Sequence, residues 1–71
     1  MNTDKKVVSI AIPIKNEILN LPNLIEALNE LALSHSSYEF EFVFTDNHSD
    51  DFSWEKLREF AATDPRIKGL R

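Results

Sequence analysis

The stretch Phe40-Glu41-Phe42-Val43-Phe44-Thr45-Asp46-Asn47-His48-Ser49-Asp50-Asp51 decides how this chain is read. Its first half is apolar and β-prone. From Asp46 onward it is polar, with three carboxylates, an imidazole, an amide and a hydroxyl within six positions. A helical pattern resumes at Ser53 or Trp54. A strand that runs into a polar turn and then a helix is a building unit of an α/β sheet, and open sheets of that kind bind ligands outside the carboxyl ends of their strands. The turn is therefore the first candidate for a ligand site, and the segments around it are its scaffold.

Upstream, Val7-Val8-Ser9-Ile10-Ala11-Ile12-Pro13-Ile14 is mostly β-branched and apolar on both faces, the pattern of a strand covered on both sides. Pro13 lacks an N–H for a ladder, so the strand is placed at 7–12. After a loop, Leu21, Leu24, Ile25, Leu28, Leu31 and Ala32 recur at three- and four-residue spacing and predict a helix over 21–34, with Asn20 as N-cap and Pro22 tolerated in the first turn. Ser34-His35-Ser36-Ser37 breaks it. The second strand is placed at 38–45.

A second helix follows at about 53–63, capped by Asp51 or Ser53 and striped with Trp54, Leu57, Phe60 and Ala61. Asp64-Pro65 stops it. A third strand is placed at 67–71. Residues 1–6 read as a disordered N-terminus. The sum is α/β, β-α-β-α-β, half of a doubly wound parallel sheet with right-handed crossovers. Such a sheet leaves both edges uncovered, so the chain is expected to be the opening part of a larger protein.

Composition narrows the function. Seventy-one residues hold one small domain. A formal charge of −4 and the scatter of eight Lys and Arg argue against a nucleic-acid surface, which needs a basic stripe. The absence of Cys removes disulfides and thiolate metal sites. A single Gly removes glycine-rich phosphate loops. No apolar run reaches the roughly 20 residues of a spanning helix.

In a parallel pair the two strand ends share one rim, so Lys15-Asn16-Glu17 and Asp46-Asn47-His48 can face a common pocket. The plain alternative is that polar residues simply populate loops. Asp46, just past a buried strand, is placed to accept from a ligand N–H or hydroxyl, or else to serve an Asx turn. Asp50 and Asp51 suit cap and dipole roles, and Ser49 fits either turn or ligand. His48 beside Asp46 and Asp50 raises a metal, yet sequence neighbours seldom converge on one cation. Nothing resembles a Ser/His/Asp triad.

Read in order, these segments resemble family 2 glycosyltransferases. Val8-Ser9-Ile10-Ala11-Ile12-Pro13-Ile14-Lys15-Asn16-Glu17 is similar to the family's opening VSIVIPxYNE. Asn20-Leu21-Pro22-Asn23-Leu24-Ile25 resembles NLPxLL, Thr45-Asp46-Asn47-His48-Ser49-Asp50-Asp51 the VDDGSxD turn, and Asp64-Pro65-Arg66-Ile67 the DPRV entry to the third strand. The resemblance implies a truncated GT-A, Rossmann-like fold, with residues 7–71 as the N-terminal part of a nucleotide-sugar-binding domain.

It further implies transfer of a sugar from a UDP- or GDP-type donor to a saccharide or polyprenyl-lipid acceptor, as in cell wall or polysaccharide biosynthesis. The implied location is the cytoplasm, with the inner face of the membrane serving a lipid acceptor. The implied nucleotide contacts are Pro13, Lys15, Asn16, Glu17, Asp46, Asn47 and Ser49, with Asp46 on the base. The family's divalent cation, Mg or Mn, and its catalytic base come from segments beyond the third strand. No catalytic or metal residue is therefore expected in this chain, which should be inactive alone. Lys15 stands where the family has an aromatic, Asn47 where it has a second Asp, and His48 where it has Gly. Asn and His tolerate a left-handed backbone better than most residues.

Two other classes compete. A non-catalytic module could recruit a partner, or a second copy, through an exposed sheet edge. A receiver-like phosphoacceptor would want paired acids after the first strand, where Lys15-Asn16-Glu17 supplies one.

Overall fold

A computed structural model describes residues 5–71. Strand β1 spans Lys6–Ile14, helix α1 Leu21–Ser34, β2 Tyr38–Asp46, α2 Ser53–Thr63 and β3 Ile67–Leu70. The three strands form one sheet in the order β1-β2-β3, parallel throughout. The β-α-β-α-β reading holds, with helix boundaries as the periodicity predicts. Most of the expected disordered tail lies outside the described residues, and Lys6 itself begins β1.

Strand β1 does not stop before Pro13. It pairs with β2 from Lys6↔Tyr38 through Pro13↔Thr45 to Ile14↔Asp46. The carbonyl of Ile14 accepts from the Asn47 N–H at 3.0 Å, so Ile14 faces β2 and its neighbour Pro13 faces away. The donor that Pro13 lacks points to the open edge, where a proline interrupts nothing. By the same pairing β2 gains Asp46, while β3 ends at Leu70 rather than 71.

Both crossovers step one strand in the same direction, so right-handedness puts both helices on one face. Burial follows that geometry. Phe42, Phe44, Ile14, Leu21, Ile25, Leu57 and Ile67 make the core, with Ile10, Ile12, Trp54 and Phe60 packed around it. The expectation that β1 is covered on both sides is corrected here: on the far face Val7 is 62% and Leu70 57% exposed. That face is tied instead by a polar row. The Ser9 hydroxyl donates to Glu41 Oε1 at 2.6 Å and the Lys68 ammonium to Glu41 Oε2. The Lys68 hydrogen bond, then that of Ser9, holds the Glu41 carboxyl below its ordinary value.

The Asp64-Pro65-Arg66 turn anchors β3. Arg66 donates Nε and Nη2 to the two Asp64 oxygens at 3.0 and 2.7 Å, and Nη2 also reaches Asn29 Oδ1 on α1. The guanidinium lies 5.5 Å from the Phe42 ring centroid. The hydrogen bond from Arg66 depresses the Asp64 carboxyl, and Asp64 in turn raises Arg66.

Gly69 is the chain's one glycine, and the reason is steric. A Cβ there would lie 3.0 Å from Leu57 Cδ2 and 3.3 Å from Trp54 Cζ3, so α2 packs directly on the β3 backbone. Gly69→Val should therefore lower stability by about 1–3 kcal/mol, the usual cost of overpacking. The measurement is a urea unfolding midpoint; an unchanged midpoint would show that the α2–β3 contact yields freely.

Candidate functional site

The register Ile14↔Asp46 brings the ends of β1 and β2 level, and their two loops are sewn together by hydrogen bonds. The N–H of Asn16 donates to Ser49 Oγ at 2.8 Å, and that hydroxyl donates onward to Asp46 Oδ1. One residue along, the pattern repeats. The N–H of Glu17 donates to Ser53 Oγ at 2.8 Å, and Ser53 donates to Asp51 Oδ1. Each serine thus bridges a backbone donor of the first loop and a carboxylate of the second. A hydroxyl suits this place because it accepts and donates at once.

Asn16 adds a third link. Its Oδ1 accepts from the N–H groups of Asp50 at 2.7 Å and Asp51 at 3.3 Å. Asn16 and His48 both hold a left-handed backbone, with φ of 52° and 53°. His48 therefore adopts at the expected turn position the geometry that glycine would supply.

The seven candidate residues gather at this rim, but they divide by exposure. Lys15, Asn16 and Asn47 are exposed, as are Pro13 and the neighbouring His48; Glu17 is half-buried; Asp46 and Ser49 are buried. Asp46 is 1% exposed. Its Oδ2 accepts from the Ser49 N–H at 3.1 Å and lies 3.4 Å from Arg71 Nε. A ligand reaches this carboxylate only by displacing those partners. Asp50 gives its N–H to Asn16 and leaves its exposed side chain to solvent.

Neither N-cap is made as the sequence suggests. Asn20 is itself helical, with φ −93° and ψ −14°, and makes no side-chain cap. The Glu17 carbonyl instead accepts from the Asn20 and Leu21 N–H groups at 3.0 and 2.9 Å. Ahead of α2 the N-cap is Phe52, and Asp51 works from one position earlier, taking the Ser53 N–H at 2.9 Å on Oδ1 and the Ile18 N–H at 3.2 Å on Oδ2. Asp51 is thus a cross-loop tie as well as a turn former.

Sequence reasoning passed over Ser53 as a bridge and Arg71 altogether. Ser53 carried a signal as a cap candidate, but only the register could show that it reaches Glu17. Arg71 closes the rim from the far side, its guanidinium 5.6 Å from the Trp54 ring centroid and Nη2 at 3.4 Å from the Ser49 carbonyl. Among the described residues no three His, Asp or Glu side chains converge as a cation site. The oxygens of Asp46 and Asp51 already serve N–H and O–H donors, so the donor set does not fit a divalent ion. A concavity of about 450 Å³ lies at the opposite pole beside Ala32, Leu33, Tyr38 and Arg66. It lies away from the strand carboxyl ends, at the start of β2.

The rim and the sheet together define the opening half of a Rossmann-like, GT-A-type α/β fold. The chain belongs to glycosyl transferase family 2, whose pattern it matches over residues 9–71. It is 38% identical over 63 residues to the undecaprenyl-phosphate 4-deoxy-4-formamido-L-arabinose transferase of Aeromonas hydrophila subsp. hydrophila, covering 89% of this chain and 19% of that protein. The transferase of the same name from Pseudomonas savastanoi pv. phaseolicola is 43% identical over 56 residues, 79% of this chain and 16% of its own length. The chain thus spans under a fifth of the length of these curated relatives.

The ties between the loops have a pH signature. Burial pushes the Asp51 carboxyl up, but hydrogen bonds from the Ser53 hydroxyl, the Ser53 N–H and the Ile18 N–H outweigh it and leave the group below its ordinary value. A carboxyl depressed in the folded state contributes stability above its unfolded value, about 3.9, and loses it as pH falls through the folded value. Urea midpoints of the chain should therefore drop below about pH 4, and Asp51→Asn should show a smaller drop over the same window. Equal slopes would show that Asp51 is not a contributor.

Proposed function

We propose that this chain is the donor-nucleotide end of a glycosyltransferase that moves a sugar from a UDP- or GDP-type nucleotide sugar to a lipid-linked or saccharide acceptor. The observation that carries the reading is the rim itself: two loops at the carboxyl ends of adjacent parallel strands, fixed to one another by Asn16, Ser49, Ser53 and Asp51. Such strand ends are where open α/β sheets take nucleotides. The family match supports transfer chemistry, and the undecaprenyl-phosphate in the relatives' names supports a polyprenyl phosphate acceptor for the complete enzyme. No described helix is long and apolar enough to cross a membrane. The cytoplasmic side of the membrane is accordingly proposed from the acceptor alone.

In this reading Pro13, Lys15, Asn16 and Glu17 form one wall of the nucleotide site and Asp46, Asn47 and Ser49 the other. The exposed Asn47 amide can both donate to and accept from a base edge. Lys15 offers an ammonium to phosphate. Asp46 underlies the turn and becomes a base contact where Arg71 yields. A divalent cation and the catalytic base belong to the proposal for the complete enzyme and not to these residues.

Titrating the ¹⁵N-labelled chain with UDP and with GDP to about 10 mM, a range that detects weak binding, tests this directly. Shifts should concentrate at Lys15–Glu17 and Asn47–Asp50. No response to either nucleotide, or shifts confined to Tyr38, Glu39 and Arg66, would overturn it.

A second reading has its own observation. The open face, with Val7 62% and Leu70 57% exposed, and the uncovered edges of β1 and β3 suit pairing with a second copy. Light scattering behind size exclusion should then give a mass that rises with concentration. A constant monomer removes the edge-pairing reading and leaves the first intact.

A further inference from the structure

Asn16 holds a position that neither loop chemistry nor exposure alone explains. It is a non-glycine residue at φ 52°, and three consecutive residues of the other loop hang on it. Its N–H goes to Ser49 Oγ at 2.8 Å; its Oδ1 takes the N–H of Asp50 at 2.7 Å and of Asp51 at 3.3 Å. The only other left-handed non-glycine residue described, His48, immediately precedes the segment so held. Because Ser49 in turn donates to Asp46, a single residue at the end of β1 sets the backbone of residues 49–51 and, through Ser49, the carboxylate of Asp46.

We infer that Asn16 is a positioning residue: its N–H and amide oxygen shape the Asn47–Asp51 turn for the nucleotide by holding the facing loop. Its amide oxygen is already shared between two backbone donors and is not free to accept from a ligand. Leaving those donors unmet at a rim that a ligand covers would cost more than the contact returns. The side-chain chemistry is specific. Only a short side chain with a carbonyl-type oxygen both tolerates the left-handed backbone and reaches N–H groups of a facing loop. Asp meets both conditions, Gly meets the first alone, and Ala meets neither.

The inference rests on the nucleotide-site reading for its functional half, but its structural half is read without ligand. Amide hydrogen exchange in Asn16→Gly should quicken at Asp50 and Asp51 by about ten-fold, the factor a lost hydrogen bond of ordinary net strength allows, with Phe42 and Phe44 unchanged. Asn16→Asp should keep the protection. With UDP present, Asn16→Gly and Asn16→Ala should bind about ten-fold more weakly, while Asn16→Asp stays near the parent chain. Leu28→Ala, which trims the packing of α1 on the core, should keep its affinity and so separates positioning from general stability. Should Asn16→Ala fail to fold, Asn16→Gly and Asn16→Asp still decide the matter.

Unchanged exchange at Asp50 and Asp51 in Asn16→Gly would overturn the inference. So would quickened exchange with undiminished UDP affinity. If the parent chain binds neither nucleotide while the exchange pattern holds, the site reading fails and the structural role of Asn16 stands.

Discussion

Everything at the rim depends on one registered pair, Ile14 beside Asp46, extended one step by the hydrogen bond from Asn47 N–H to the Ile14 carbonyl. A parallel sheet can slip only in two-residue steps without turning its side chains over. A slip here would carry Ser49 away from Asn16 and Ser53 away from Glu17. What prevents it is the core beneath. Phe42 and Phe44 are buried under the two helices, and Gly69 lets Leu57 and Trp54 settle onto β3. The apolar packing and the polar stitching are thus one constraint: aromatic residues on β2 hold the register, and the register aligns the serines.

Much of this was legible in the sequence because each element carries its own period. The stripe from Leu21 to Ala32 reads as a helix, and the Phe40 to Phe44 run reads as a strand ended by a polar turn, whatever the rest of the chain does. Pro13 was misjudged because its cost depends on which side of β1 has a partner, which no local pattern reveals. The expectation of a two-sided β1 failed for a related reason. Its apolar far face, Val7, Ala11 and Pro13, records a strand suited to double cover, but three strands in sequential order put both helices on one side.

The candidate residues were found because strand ends concentrate polar chemistry, yet their division of labour was not readable. Ser53 looked like a cap and proves to be a cross-loop bridge. Asp51 looked like a cap and also ties Ile18. Asn20 had the right residue type for a cap and does not make one, because the Glu17 carbonyl already satisfies the entry to α1. In each case the deciding partner lies 33 or 36 residues away or in a neighbouring turn, beyond the reach of spacing arguments.

The acidic look of the turn is itself misleading. Of its three carboxylates, Asp46 is buried against Ser49 and Arg71, and Asp51 accepts three hydrogen bonds from Ser53 and Ile18. The Asp50 side chain faces water and Asp51 is half-buried, both close in sequence to exposed Asn47 and His48. Folding thus ties two of the three acids into the frame and leaves Asp50 in the company of an amide, an imidazole and an ammonium. Two of those three stand where the wider family pattern has Gly and an aromatic. The bonded carboxylates of Asp46 and Asp51 hold the frame, and Lys15, Asn47, His48 and Asp50 are the side chains it leaves to solvent.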